Sequence, residues 1–211
     1  MKLRALKTEE ELEWYRRSAH QYIDVLFPLE YLQRSRVVAC LDDTGSICGG
    51  FIIVLEGPFR VLEQIPGGET VDLPIKTEKT AEITGLWRTK SWCKKHGSAS
   101  LFIRLGFEIF RSRKKYFIYS YTLRKPHLGE IYSFVNPKVL YQGDVFLPGM
   151  DAADEESIEV FTVWNCLAAL FRSPAFILPR LSPGRRNIGR RFLSAALRRL
   201  TFSFTPLTGR R

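Results

Sequence analysis

Between Ala81 and Lys115 the chain reads AEITGLWRTKSWCKKHGSASLFIRLGFEIFRSRKK, and this stretch decides the fold. Its first eight residues alternate. Ala81, Ile83, Gly85 and Trp87 fall on one face of a strand, and Glu82, Thr84 and Leu86 on the other. A glycine inside a strand, here Gly85, often marks a bulge or the close approach of another backbone or a ligand. From Ala99 the period changes, and Leu101, Ile103, Leu105, Phe107, Ile109 and Phe110 make the broad apolar stripe of an amphipathic helix. Ser98 is placed to cap that helix. Its free N–H groups and positive dipole end would then lie beside Lys94 and Lys95 and cradle a phosphate.

Working outward, Tyr116 to Leu123 (YFIYSYTL) is aromatic and β-prone, and a strand–helix–strand crossover of this length lays it parallel to the first strand. Upstream, RVVACLD and SICGGFIIVLE are two strands of a hairpin joined by Asp43-Thr44-Gly45. A loop centred on Thr44 would set Cys40 opposite Cys48. The remaining elements follow local signals. Met1 to Ala5 suits a short first strand, Thr8 and Glu11 form a capping box for a helix running to about Tyr22, and Pro28 opens a second helix. PHLGEIYSF from Pro126 reads as a short helix and KVLYQGDVFLPG as a strand, and Ile158 to Ala168 supplies a last strand or a further helix. Residues 57–80, with three prolines and three glycines, form an insertion. They read equally as a lid over an acceptor or as a solvated excursion with an extra strand around Phe59 to Leu62.

The order of these elements, and the segment Lys94-Lys95-His96-Gly97-Ser98-Ala99, resemble the GNAT superfamily of N-acyltransferases. The signature there is Arg or Gln, two residues, Gly, one residue, then Gly or Ala; here Lys94 holds the first position. The resemblance covers residues 1–165 and implies an α/β fold, a GNAT-like mixed central sheet flanked by helices. It implies acetyl-CoA or another acyl-CoA as donor, with acyl carrier protein as the second candidate, and an amine on a small molecule or peptide as acceptor. The acyl-homoserine-lactone synthases are a related branch that uses acyl carrier protein, and the aromatic second strand would suit a long acyl chain. By the same resemblance the two parallel strands splay, the pantetheine arm pairs with the backbone of Leu86, Trp87 and Arg88, and Lys94, Gly97, Ser98 and Ala99 hold the phosphates. Glu82 would be the base that keeps the amine neutral, against a strand carboxylate paired with a cation. Tyr132 would protonate the departing thiolate, against a packing tyrosine, with Tyr119 and Tyr121 as alternatives. Tyr15, His20 and Tyr22 could face the acceptor, or simply pack.

No histidine or cysteine spacing suggests a metal, and the four cysteines have no CxxC pair. No apolar run approaches the length of a membrane span, and no apolar leader is seen at the start, so a cytoplasmic protein with free thiols is expected. The formal charge of +10 is uneven. Ten of the 32 basic residues are arginines between Arg172 and Arg211, a stretch without lysine or acid, which leaves 22 to balance the 22 acidic residues of the rest. Residues 166–211 are therefore a separate basic extension. Asn187 to Phe204 has an amphipathic pattern with flanking arginine pairs, suited first to an anionic membrane surface, then to a flexible or self-docked tail, and last to nucleic acid. A second class of function stays open, a non-catalytic protein of this fold attached to a membrane or nucleic acid by its tail.

Overall fold

The computed structural model describes residues 2–66, 75–91 and 99–172. The elements run β1 (Lys2–Ala5), α1 (Glu9–Ile23), α2 (Leu29–Gln33), β2 (Ser35–Leu41), β3 (Ile47–Val54), α3 (Arg60–Glu63), β4 (Thr80–Arg88), α4 (Ala99–Ser112), β5 (Tyr116–Thr122), α5 (Pro126–Tyr132), β6 (Lys138–Val145), β7 (Asp154–Thr162) and α6 (Val163–Arg172). Seven strands form one sheet in the order β1-β2-β3-β4-β5-β7-β6. Every neighbouring pair is antiparallel except β4 and β5. This is the mixed α/β sheet expected from the sequence.

Local chemistry sets the ends of several elements. The capping box at α1 forms: Thr8 Oγ1 accepts from the Glu11 amide, and the Glu11 carboxylate accepts from the amides of Thr8 and Lys7. The β2–β3 turn is held by Asp42, whose Oδ1 accepts from the amides of Thr44 and Ser46. Its register departs from the expectation. A bulge next to Cys40 sets it opposite Gly49 and not Cys48, and the Cys48 thiol donates to the Cys40 carbonyl at 3.2 Å.

Alternation divides the core between the two faces. On one, α1, α2 and α3 cover Val37, Ala39, Ile52, Val54, Ile118 and Ile158. On the other, α4 covers Val38, Phe51, Ile53, Ala81, Ile83 and Phe117. The α4 stripe is narrower than the sequence suggested. Leu101, Leu105 and Ile109, spaced by four, are buried, whereas Ile103, Phe107 and Phe110 turn away and are exposed.

The β4 alternation also breaks, for a visible reason. Opposite β3, Gly50 pairs Trp87 and Ile52 pairs Thr84, so two residues of β4, Gly85 and Leu86, face the single residue Phe51. Gly85 takes φ +57°, a left-handed conformation that favours glycine. The extra residue inverts the strand beyond it. Trp87 therefore packs on the α1 face with Tyr15 and not, as the plain alternation required, with Ala81 and Ile83.

One further expectation changes. Phe59 to Leu62 is not a strand: Arg60–Glu63 is a helical turn, and Phe59, Val61 and Ile65 are buried. Helix α6 spans Val163–Arg172, and its Ala169 is buried. The basic stretch beyond Arg172, including Asn187 to Phe204, lies outside the described residues.

Candidate active site

Strands β4 and β5 are neighbours over three residue pairs only, Thr80 with Tyr116, Ala81 with Phe117 and Glu82 with Ile118. Beyond these pairs β5 is held by β7 and β4 by β3, and the two strands separate. A cavity of about 510 Å³ occupies the opening. Its walls include Ile83 to Leu86 of β4, Tyr119 to Thr122 of β5, Phe102, Leu105 and Ile109 of α4, Leu128 and Tyr132 of α5, and Cys166 of α6. It also reaches Phe27, Arg60 and Glu156 on the far face of the sheet. A mostly apolar tunnel of this size with a few polar groups can hold a small-molecule ligand.

The polar groups fall into two sets, one on each face. On the α4 face, Tyr119 and Tyr121 both donate their hydroxyls to Glu159, at 2.5 Å and 3.0 Å, and Ser157 donates to the same carboxylate at 3.1 Å. Burial and the Glu159 carboxylate both raise the pKa of each tyrosine. Tyr132 packs on both rings, with centroids 5.0 Å and 5.2 Å away. Tyr132 lines the cavity, and the phenols bonded to Glu159 are those of Tyr119 and Tyr121. Burial pushes the Tyr132 pKa up to about 12, against the opposing charge of Arg88. The Arg88 guanidinium lies over the Phe102 ring, and its Nη1 is buried without a hydrogen-bond partner.

On the other face, Glu82 is fully buried and accepts a 2.8 Å hydrogen bond from Tyr31. Desolvation raises its pKa; the nearby Arg60 charge and Tyr31 hydroxyl oppose this. The backbone N–H groups of Val61 and Arg60 also pull it down, although neither closes a full hydrogen bond on Oε2. Glu82 is not among the residues that line the cavity, whereas Arg60 and Glu156 are. Glu156 is buried, with Oε2 unpartnered, and burial raises its pKa while the Ser120 hydroxyl and the Arg60 charge lower it.

Of the residues singled out in the sequence, Leu86 and Tyr132 line the cavity, and Arg88 reaches its neighbourhood through Phe102 and Tyr132. Trp87 turns its ring to the opposite face, stacked on Tyr22. Ala99 begins α4. Lys94, Gly97 and Ser98 lie outside the described residues. Tyr15 is a fully buried core residue. The sequence did not point to Arg60, Glu156 or Glu159. Arg60 stood inside an apparent insertion, and the two glutamates stood in an acidic run, DEESIE, that resembles a solvated edge.

A mixed sheet bulged at β4 and opened between its parallel strands, with a cavity at the gap, is a GNAT-like fold, shared with several solved structures. Among solved structures, the chain is similar to Arabidopsis thaliana NAA60 in complex with acetyl-CoA (TM-score 0.56, 9% identity, 77% of this chain and 98% of that one). It is also similar to FeeM, an N-acyl amino acid synthase from uncultured soil microbes (TM-score 0.54, 14% identity, 81% and 97%). A third is a chimera of the spermidine N-acetyltransferase SpeG from Vibrio cholerae and hSSAT (TM-score 0.51, 11% identity, 82% and 100%). No protein-family model and no curated protein sequence matches the chain. Among the described residues no cluster of metal-ligating side chains occurs, and no helix is long and apolar enough to cross a membrane.

Proposed function

We propose that this protein is an N-acyltransferase that moves an acyl group from a thioester onto an amine. The observation that carries this reading is the gap between β4 and β5, which leaves the β4 edge from Ile83 onward without a strand partner beside an apolar cavity. Unpaired backbone groups at a sheet edge are a template for an extended ligand. A pantetheine arm has amides at the spacing to use them. The backbone of Leu86, Trp87 and Arg88, with Lys94, Gly97, Ser98 and Ala99 at the start of α4, would bind the donor. Coenzyme A is the first candidate carrier and acyl carrier protein the second. The apolar side chains of α4 and α5 favour an acyl group longer than acetyl.

In the transfer, the amine nitrogen attacks the thioester carbonyl, a C–N bond forms, and the C–S bond breaks. One proton must leave the nitrogen and one must reach the thiolate sulfur. Tyr132 is assigned the second task, because it lines the cavity and the Glu159 carboxylate takes its phenol bonds from Tyr119 and Tyr121. For the first we assign Glu156, the carboxylate that lines the cavity, in place of Glu82. Glu82, behind Tyr31 and Arg60, is assigned to fixing the α3 turn that carries Arg60. The neighbours include enzymes named for spermidine and for amino acids, so the fold alone leaves the acceptor open. A cytoplasmic site of action, with the arginine-rich extension resting on an anionic membrane surface, completes the reading.

Calorimetric titration with coenzyme A and dodecanoyl-coenzyme A tests the donor site. Saturable binding that is lost in Gly97→Trp supports the reading. No binding of either, together with no transfer from a dodecanoyl carrier protein, sinks it and leaves the non-catalytic class.

A further inference from the structure

The cavity meets a buried cation with unpartnered donors. Arg60 is 5% exposed, yet its Nε and Nη1 have no partner. Its guanidinium lies over two rings, 4.9 Å from the Phe27 centroid and 5.7 Å from that of Tyr31. A cation–π contact engages the face of the group and does not use Nε or Nη1. Buried charged donors without acceptors are costly, and a site that retains them generally completes them with a ligand. Glu82 accepts from the Tyr31 hydroxyl, and the Arg60 charge acts on the same carboxylate. The head group is thus flanked by two rings and has a buried carboxylate nearby before anything binds.

Its position identifies which substrate it meets. Helix α4, just after the proposed donor segment in sequence, covers the opposite face of the sheet from α2 and α3. Arg60 is therefore at the acceptor end of the cavity. Glu156 lines the same end and is close enough for the Arg60 charge to act on it. One fixed cation and one carboxylate face a common space. A plain amine would use only the second. A carboxylate is the planar acceptor that a guanidinium edge matches best.

We propose that the acceptor is an α-amino acid, with Arg60 binding its carboxylate while its amino group lies toward Glu156. This rests on the acyltransferase reading above, and the product would be an N-acyl amino acid, an amphiphile whose chain lies along the α4 face. Ordinary amines lacking the carboxylate leave Arg60 unpartnered and are discriminated against for that reason.

Calorimetric titration of the full chain with product-like ligands tests this without turnover. The probes are N-dodecanoyl-leucine, its methyl ester, and N-dodecanoyl-isopentylamine, which keep the chain and amide and differ at the carboxylate. The acid is expected to bind at least about tenfold more tightly than the ester or the amide, as for hydrogen bonds to a charged group. In Arg60→Met that advantage falls to within about threefold, while the amide binds as before. Arg60→Lys keeps the charge and recovers part of it. If wild-type protein binds acid, ester and amide alike, the proposal is overturned while the acyltransferase reading survives on coenzyme A binding. That comparison needs no variant, so a poorly folding Arg60→Met cannot obscure it. Failure of all three ligands to bind overturns the proposal, and if the donor also fails to bind, the acyltransferase reading falls with it.

Discussion

The hydroxyl of Tyr15 on α1 donates a 2.9 Å hydrogen bond to the carbonyl oxygen of Gly85, the residue at which β4 bulges. The bulge follows the last β4–β5 pair, at Glu82, so a side chain seventy positions earlier in the sequence holds β4 where the cavity opens. Tyr15→Phe would leave that carbonyl unsatisfied, at about 1–3 kcal/mol of stability. Gly85→Ala should cost more. A β-carbon there would sit 2.8 Å from Ile52 Cδ1, in a backbone conformation that disfavours L-residues by about 1–2 kcal/mol. Urea midpoints measure both losses. The donor affinity of soluble Gly85→Ala should fall further than that of Tyr15→Phe, and equal affinities would mean that the bulge does not shape the site.

The three tyrosines of the α4 face should separate in kinetics. Tyr132→Phe should lower kcat by about a hundredfold or more, as for loss of a general acid, and leave coenzyme A affinity unchanged. Tyr119→Phe and Tyr121→Phe should act mainly on stability, because their hydroxyls are already committed to Glu159. With the Tyr132 pKa raised to about 12, its phenol stays protonated across the working range. The wild-type rate should therefore show no alkaline fall near the ordinary tyrosine pKa of about 10. A fall there that disappears in Tyr132→Phe would assign the residue a different role.

Much of this arrangement was legible in the chain, and what was not has a common cause. Thr8 and Glu11 announce α1, Asp42 to Gly45 announces the hairpin turn, and the change of period at Ala99 announces α4, because each signal is local. The face of Trp87 was not legible, since one inserted residue at Gly85 inverts everything after it. Nor was the burial of Glu156 and Glu159. They are inside because β7 inserts between β5 and β6, a pairing between distant segments that leaves no periodic trace. Arg60 was hidden for a similar reason: a four-residue helical turn is too short to show a pattern, and its burial depends on Phe27 and Tyr31, which belong to other elements.

The two raised carboxyls on the α2–α3 face should have different signatures. Burial lifts Glu82 and Glu156 above the ordinary value of 4.5. A carboxyl with a higher pKa folded than unfolded holds its proton more tightly in the native state. Its stabilising contribution is full below 4.5 and is lost as pH rises through the folded value. Glu82→Gln keeps an acceptor for Tyr31 and removes the titration, so its urea midpoint should decline less than that of wild type as pH rises above 4.5. Activity should behave otherwise. The acid limb of kcat/KM should lie above 4.5, survive Glu82→Gln, and vanish with most of the activity in Glu156→Gln. The reverse pattern would return the base to Glu82.

The same reasoning about buried charge predicts how α4 is fastened to the sheet. Glu108 is 1% exposed, and Arg36 of β2 reaches its Oε2 at 2.8 Å. Arg104, one turn back on α4, lies 2.6 Å from Oε1 at an angle too poor for a hydrogen bond. Either arginine alone can balance the carboxylate, and both are partly exposed, so Arg36→Met or Arg104→Met singly should cost little. Together they strand a buried charge, and the double variant should lose about 3–5 kcal/mol. Adding Glu108→Met removes the stranded charge and should restore most of that loss. Urea unfolding of the five proteins, wild type included, at neutral pH measures the coupling. Strict additivity of the two arginine substitutions, or a triple variant no better than the double, would show that Glu108 is solvated after all and that packing of Leu101, Leu105 and Ile109 alone holds the helix in place.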